Sequence, residues 1–188
     1  MPLRRNKANV SLKELIELVQ EEHQGIVIAA HADQHDGILV ESRHIDDYKN
    51  QKLLEAMRWA IDYEGMASTF LKGNMVVHQA FLPKGYLGAL EDQPYKLDIE
   101  KAKALVAESG IANPKIVMDV RNAADRMEMA QSIQNTFGQA GITVELNIGE
   151  GAEQLKRYRA RQHDATLQSW GPDYPDPQTN AGSFAWNP

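Results

Sequence analysis

The sequence predicts an α/β domain, a layered mixed sheet with flanking helices. Three observations carry that expectation. Strand-like alternation and helix-like spacing follow one another as β-α-β-α-β between Lys115 and Gln168, which argues for layering with at least some parallel pairing. Apolar residues make up 43% and charged residues 24%, the balance of an ordinary soluble globular protein. At 188 residues the chain has room for one domain and a small appendage.

The elements follow from the pattern in chain order. Ser11 to Gln20 places Leu12, Leu15, Ile16, Leu18 and Val19 at helical spacing, with Ser11 and Glu14 as a capping box. Ile26 to Ala30 is a short apolar strand after Gly25, and Ile38 to Val40 is a candidate further strand. From Asp46 to Asn50 the chain turns polar, and a boundary is placed there, dividing residues 1–49 from 50–188. Gln51 to Leu71 reads as one long helix or two short ones broken near Gly65, and Val76 to Tyr95, with its glycines and prolines, as loop.

Asp98 then caps a helix over Ile99 to Glu108 that Gly110 ends. Lys115 to Arg121 alternates as a strand. Asp125 to Gln139 is a helix with Met129, Ile133 and Phe137 inward, stopped at Gly141. Ile142 to Ile148 is a strictly alternating strand, Ala152 to Arg161 a basic amphipathic helix, and Ala165 to Gln168 a short strand. Met118, Met127 and Met129 read as core fillers, and Lys156, Arg157, Arg159 and Arg161 as a solvated face.

Composition excludes several functions. A net charge of -6 argues against a general nucleic-acid binder, which needs a basic surface for phosphates. With no cysteine there is neither disulfide nor thiolate metal site. No apolar run approaches the roughly 18 residues of a membrane span. Met1 to Lys7 is basic but lacks an apolar stretch behind it, so no signal peptide is expected in this chain.

Ser169 to Pro177 (SWGPDYPDP) is the most informative segment. It leaves the carboxyl end of a strand, where open α/β sheets place ligands, and Pro and Gly hold it as a turn. An indole, a phenol and two carboxylates fall within it, and a carboxylate between aromatic walls suits a ligand ammonium group. The bland alternative is a Pro-rich corner with Trp170 buried. No Ser/His/Asp arrangement, Gly-rich phosphate loop or paired-carboxylate spacing stands out.

That strand with its W-x-x-D-Y-x-D-P loop resembles the end of the second lobe in the oligopeptide, dipeptide and nickel solute-binding proteins, family 5 of the extracytoplasmic solute-binding proteins. Leu53 to Tyr63 (LLEAMRWAIDY), Ala80 to Tyr86 (AFLPKGY), Tyr95 to Gly110 (YKLDIEKAKALVAESG) and Met129 to Leu146 (MAQSIQ, then GITVEL) resemble family segments in the same order. The resemblance covers residues 50–188 and implies a lobe of the type II periplasmic binding protein. It implies a non-enzymatic, extracytoplasmic binder without a cofactor. Such a binder closes two lobes over a peptide or similar solute and delivers it to an ABC transporter permease. Carried over by position, Asp173 anchors the ligand's α-amino group, Trp170 and Tyr174 line the pocket, and Arg121 is a basic partner for the ligand carboxylate. Arg121 also reads as a solvated strand-end arginine, and Asp176 as a turn cap. Family members are far longer, so a lone lobe is expected to bind weakly, and an exposed lobe face could drive homo-oligomer formation.

Residues 1–49 do not share that resemblance. His31-Ala-Asp-Gln-His-Asp36 follows the strand Ile26 to Ala30, and GIVIAAHAD faintly resembles a strand of the PHP-type metal-dependent phosphoesterases. His31, Asp33 and His35 are therefore an alternative metal-ligating set, weighed against a water-exposed polar loop. A segment joined to the rest by rearrangement or fusion, or a truncated fragment with no retained binding, completes the alternatives.

Overall fold

A computed structural model describes residues 25–29, 36–41, 50–160, 162–169, 174 and 176–180, with 25–29, 36–41 and 168–169 described as backbone. The expected helix at Ser11 to Gln20 lies outside these residues. Strand β1 spans Gly25–Ala29 and β2 Asp36–Glu41, followed by helices α1 (Gln51–Trp59), α2 (Tyr63–Ser68) and α3 (Ile99–Ser109). Then come β3 (Lys115–Arg121), α4 (Ala124–Gln139), β4 (Thr143–Gly149), α5 (Gly151–Arg159), β5 (Ala165–Ser169) and the short α6 (Pro177–Asn180).

The strands form one five-stranded sheet in the order β1-β2-β5-β3-β4. β3 is central to the parallel part, pairing Ile116 with Val144 and Val120 with Ile148 on one side, and Met118 with Ala165 and Val120 with Leu167 on the other. β2 runs antiparallel to β5, with Asp36 opposite Ser169, and β1 antiparallel to β2. Both expected N-terminal strands therefore exist, and their hairpin continues the sheet formed by residues beyond Asn50. The boundary at residue 50 marks a change in sequence character, while the sheet itself is continuous across it.

Side-chain alternation assigns the two faces of the parallel part. Ile116, Met118 and Val120 of β3, Val144 of β4, and Ala165 and Leu167 of β5 share one buried face with Met129, Ile133 and Phe137 of α4. Each large apolar side chain buried there contributes roughly 1.5–3 kcal/mol. The opposite face carries Asp119, Asn147 and Thr166, and α5 covers it.

The helical layer is mounted by capping groups. The side-chain oxygen of Asn50 accepts from the Lys52 and Leu53 amides at the start of α1, while its amide nitrogen donates to the Ser109 carbonyl at 2.7 Å. One side chain thus caps α1 and holds the end of α3 beside it. At the other end the Asp98 amide donates to the Trp59 carbonyl at 2.8 Å, and the Asp98 carboxylate caps α3 through the Lys101 amide. Trp59 meets Tyr95 edge-on, and the Lys101 ammonium sits 3.5 Å from the centre of the indole ring. Gly110 takes the left-handed conformation that ends α3, with φ of 74°.

The break between α1 and α2 falls at Ala60–Asp62 rather than near Gly65. Asp62 caps α2 by accepting from the Gly65 amide at 2.9 Å, and a Cβ on Gly65 would run into that carboxylate. Gly65 therefore marks the packing of a cap and not a helix end. Residues 76–95 are loop, as expected, with the chain held back on itself by Gln79. Its side chain both donates to the Tyr95 carbonyl and accepts from the Tyr95 amide.

Two outcomes follow from this core. Phe137→Ala removes a fully buried ring from α4 and should cost about 3–5 kcal/mol in denaturant unfolding. Burial pushes the Tyr63 hydroxyl above its ordinary range, with the nearby Arg58 opposing in part. A raised folded value means that the stability it contributes is fully present below the ordinary tyrosine pKa of about 10, and is lost as pH rises through the folded value. Tyr63→Phe should therefore show a smaller loss of stability than the parent between neutral and strongly alkaline pH.

Candidate functional site

The carboxyl ends of β3, β4 and β5 open on one edge of the sheet, because the three strands are parallel. From β3 the chain passes through α4 on one face to β4, and from β4 through α5 on the other face to β5, skipping over β3. The connections that leave β3 and β4 for opposite faces diverge at this carboxyl edge, and in doubly wound sheets the crevice outside such a divergence is the place where ligands are held.

Arg121 is the last residue of β3 and so stands at that crevice, where it is exposed. Its neighbour Asn122 donates from its backbone to the Gly149 carbonyl at 2.9 Å and from its side chain to Glu150 at 3.0 Å. The Arg121 guanidinium lies across the first turn of α5, since a Cβ on Gly151 would come within 3.2 Å of its Nε. A glycine here lets the cation lie flat against a helix start.

The other side of the crevice is the end of β5. Val120 pairs with Leu167, so continuing the parallel register brings Arg121 level with Gln168 and the start of the turn level with Asn122. Trp170 and Asp173 lie outside the described residues. Tyr174, on the far side of that turn, is 50% exposed. Asp176 accepts from the Gln178 amide at 2.8 Å and its carbonyl from Thr179, the geometry of a cap on α6. Asn180 then donates to the Phe81 carbonyl at 3.3 Å, tying the chain after the turn to the loop of Ala80 to Tyr86.

His31, Asp33 and His35 also lie outside the described residues. The strand ends that bracket them, Ala29 and Asp36, belong to the same edge, since Asp36 is paired with Ser169. Among the described residues no cluster of His, Asp and Glu is arranged to hold a metal. No described helix is long and apolar enough to cross a membrane.

One group escaped sequence reading. Asp119 in the middle of β3 is only 2% exposed, and its Oδ1 accepts from Arg157 Nη2 at 2.9 Å and Asn147 Nδ2 at 2.8 Å. Gln154 of α5 lies over the same spot, donating to the Asp119 carbonyl at 3.2 Å and the Leu167 carbonyl at 3.5 Å. The signal was available as an aspartate inside the otherwise apolar KIVMDV run, which demands a buried partner. Arg157 supplies it, so this residue of the basic helix departs from the expected solvated face.

Comparison with known proteins gives this arrangement a setting. The profile of "Bacterial extracellular solute-binding proteins, family 5 Middle" matches residues 17–187. The Di/tripeptide-binding protein 4 of Pseudomonas aeruginosa is 35% identical over 98 residues, which are 50% of this chain and 18% of that protein. The Dipeptide-binding protein of Escherichia coli is 27% identical over 145 residues, 73% of this chain and 26% of that one. Among solved structures, a dipeptide-binding protein of a Pseudoalteromonas species in complex with Met-Leu superposes with a TM-score of 0.71 at 20% identity. That match covers 88% of this chain and 34% of the other. The chain thus spans about a fifth to a third of the length of these three proteins.

The packing at the crevice predicts the effect of one substitution. Gly151→Ala should leave stability within about 0.5 kcal/mol of the parent, because the obstructing atoms end a flexible, exposed side chain. The Arg121 guanidinium should move instead, read as a change in its Nε–H resonance larger than that of any buried β3 amide.

Proposed function

This chain belongs to family 5 of the bacterial extracellular solute-binding proteins, and we propose that it is a non-catalytic lobe that binds short peptides at the carboxyl edge of its sheet. The observation that supports it is topological: Arg121 at the end of β3 stands level with Gln168 near the end of β5, and the SWGPDYPDP segment begins at that same edge. A peptide is a zwitterion, and this pairing of charges suits both its ends. Asp173 takes the α-amino group through a charge-assisted hydrogen bond, Arg121 takes the carboxylate, and Trp170 and Tyr174 supply aromatic walls.

The relatives support the ligand class, since the curated proteins bear di/tripeptide- and dipeptide-binding names and one matching structure holds Met-Leu. Delivery to a membrane permease outside the cytoplasm completes the reading, as the role that follows from the family. The metal-dependent hydrolase draws no support from the matched relatives, all of which are named as binding proteins.

A titration of the isotope-labelled chain with a dipeptide such as Met-Leu tests this. Resonances of Arg121, Asn122, Ser169 and Tyr174 should shift together, with a dissociation constant weaker than micromolar because one face of the site stays in water. Asp173→Asn should weaken that binding at least about tenfold, the worth of a hydrogen bond to a charged group. Absence of shifts at millimolar peptide, or shifts confined to another edge of the sheet, would refute the assignment.

A further inference from the structure

We propose that α5 is a separately releasable element of this fold, latched to the sheet by the Asp119–Arg157 ion pair. Its opening uncovers the polar row Thr166–Asp119–Asn147 and frees the wall of the crevice formed by Gly151. The inference stands on the network beneath α5 and is independent of what the crevice binds.

The two helices that cover the sheet are attached by different physics. α4 buries Met129, Ala130, Ile133, Thr136 and Phe137, nearly all apolar. In α5 the single buried residue is Gln154, a polar one. Leu155, the helix's one leucine, is 42% exposed. At the helix start Glu150 provides no side-chain cap. The described contacts that hold α5 down include hydrogen bonds from Gln154 to the Asp119 and Leu167 carbonyls, the ion pair of Arg157 with the buried Asp119 carboxylate, and the stacking of half-buried Tyr158 on His163, ring centroids 5.4 Å apart.

That attachment is incomplete. Asp119 Oδ2 and Arg157 Nε are both buried and have no hydrogen-bond partner among the described residues. A carboxylate and a guanidinium can share two parallel bonds, and here only Nη2 to Oδ1 is made. A half-satisfied buried network is worth less than an apolar contact of the same size, because a buried charged group short of protein hydrogen-bond partners carries a desolvation penalty. Release of α5 rehydrates both groups and removes no residue of the buried apolar core, whereas release of α4 opens that core. An element with few buried apolar contacts and a solvated outer face is where local opening is found.

The position gives the opening a consequence. α5 begins at the crevice, with Gly151 under the Arg121 guanidinium, and lies across β3 and β5, the strands on either side of that crevice. When α5 lifts, the support of the Arg121 side chain goes with it. The latch therefore sets how rigidly the cation is presented.

Hydrogen exchange of the intact chain under native conditions, with small additions of denaturant, tests this. The amides of α5 should share one opening whose equilibrium constant exceeds that of α4 and β3 by at least about tenfold, with a denaturant dependence between zero and that of global unfolding. Merging of the α5 amides with those of α4 and β3 would overturn the proposal. So would residue-by-residue exchange without denaturant dependence, which is fraying. The paired substitution Asp119→Leu with Arg157→Met replaces the half-satisfied pair by apolar contact and should reduce the α5 opening. Arg157→Lys, which keeps the charge and loses the fork, should increase it. If neither substitution moves the opening, the latch is assigned to the wrong residues.

Discussion

Strand β3 is flanked on both sides by parallel partners, and parallel sheets must be covered on both faces. That constraint shapes the rest of the molecule. One face of β3 is apolar and accepts α4 in the ordinary way. The other presents Asp119, so the second cover has to bring a cation and hydrogen-bond donors, and α5 brings Arg157 and Gln154. Because the two covers sit on opposite faces, the chain leaves β3 and β4 in opposite senses. The crevice at the carboxyl edge is a product of that divergence. The layering of the lobe is thus a consequence of burying a single strand twice.

The elements away from the sheet are tied to one another and share its core. α1 and α3 are locked together by Asn50 at one end and by Asp98 with the Trp59–Tyr95–Lys101 stack at the other. Their apolar sides join the same continuous core as Ile116 and Phe137. From that block the loop of residues 76–95 extends, with its ends clasped by Gln79. Phe81 in this loop receives Asn180, which lies just past the aromatic turn. Segments distant in sequence are therefore anchored to one another around the crevice through backbone carbonyls, which accept hydrogen bonds whatever side chains surround them.

Sequence periodicity was enough for β3, β4, β5 and the helices α3, α4 and α5, whose ends differ from expectation by a residue or two. Those elements are local: alternation, a capping aspartate at position 98 and a glycine at 110 or 141 carry them. What escaped was non-local. The strand order is set by pairings between Leu39 and Thr166, or Met118 and Ala165, which no window of sequence contains. Gly65 looked like a breaker because glycine often is one, whereas its role is to leave room for the Asp62 carboxylate. Of the site, Arg121 could be placed at a strand end from pattern alone. Its contact with Gly151, and the partnership of Asp119 with a residue of a helix read as solvated, required the crossover to be known.

The exposure of this edge bears on what a single lobe can do. Two unit charges about 4 Å apart attract by about 1 kcal/mol in bulk water and by about 4 kcal/mol at the effective dielectric near a protein surface. Arg121 and Tyr174 are both exposed, so a charged group beside Arg121 would keep much of its hydration and gain near the lower figure. A second surface closing over the edge would exclude that water and strengthen every contact at once, without altering one residue of the crevice. The three matched proteins named above are about three to six times as long as the portion they share with this chain. In the peptide site proposed above, affinity is then decided by whatever excludes water from the charges at this edge.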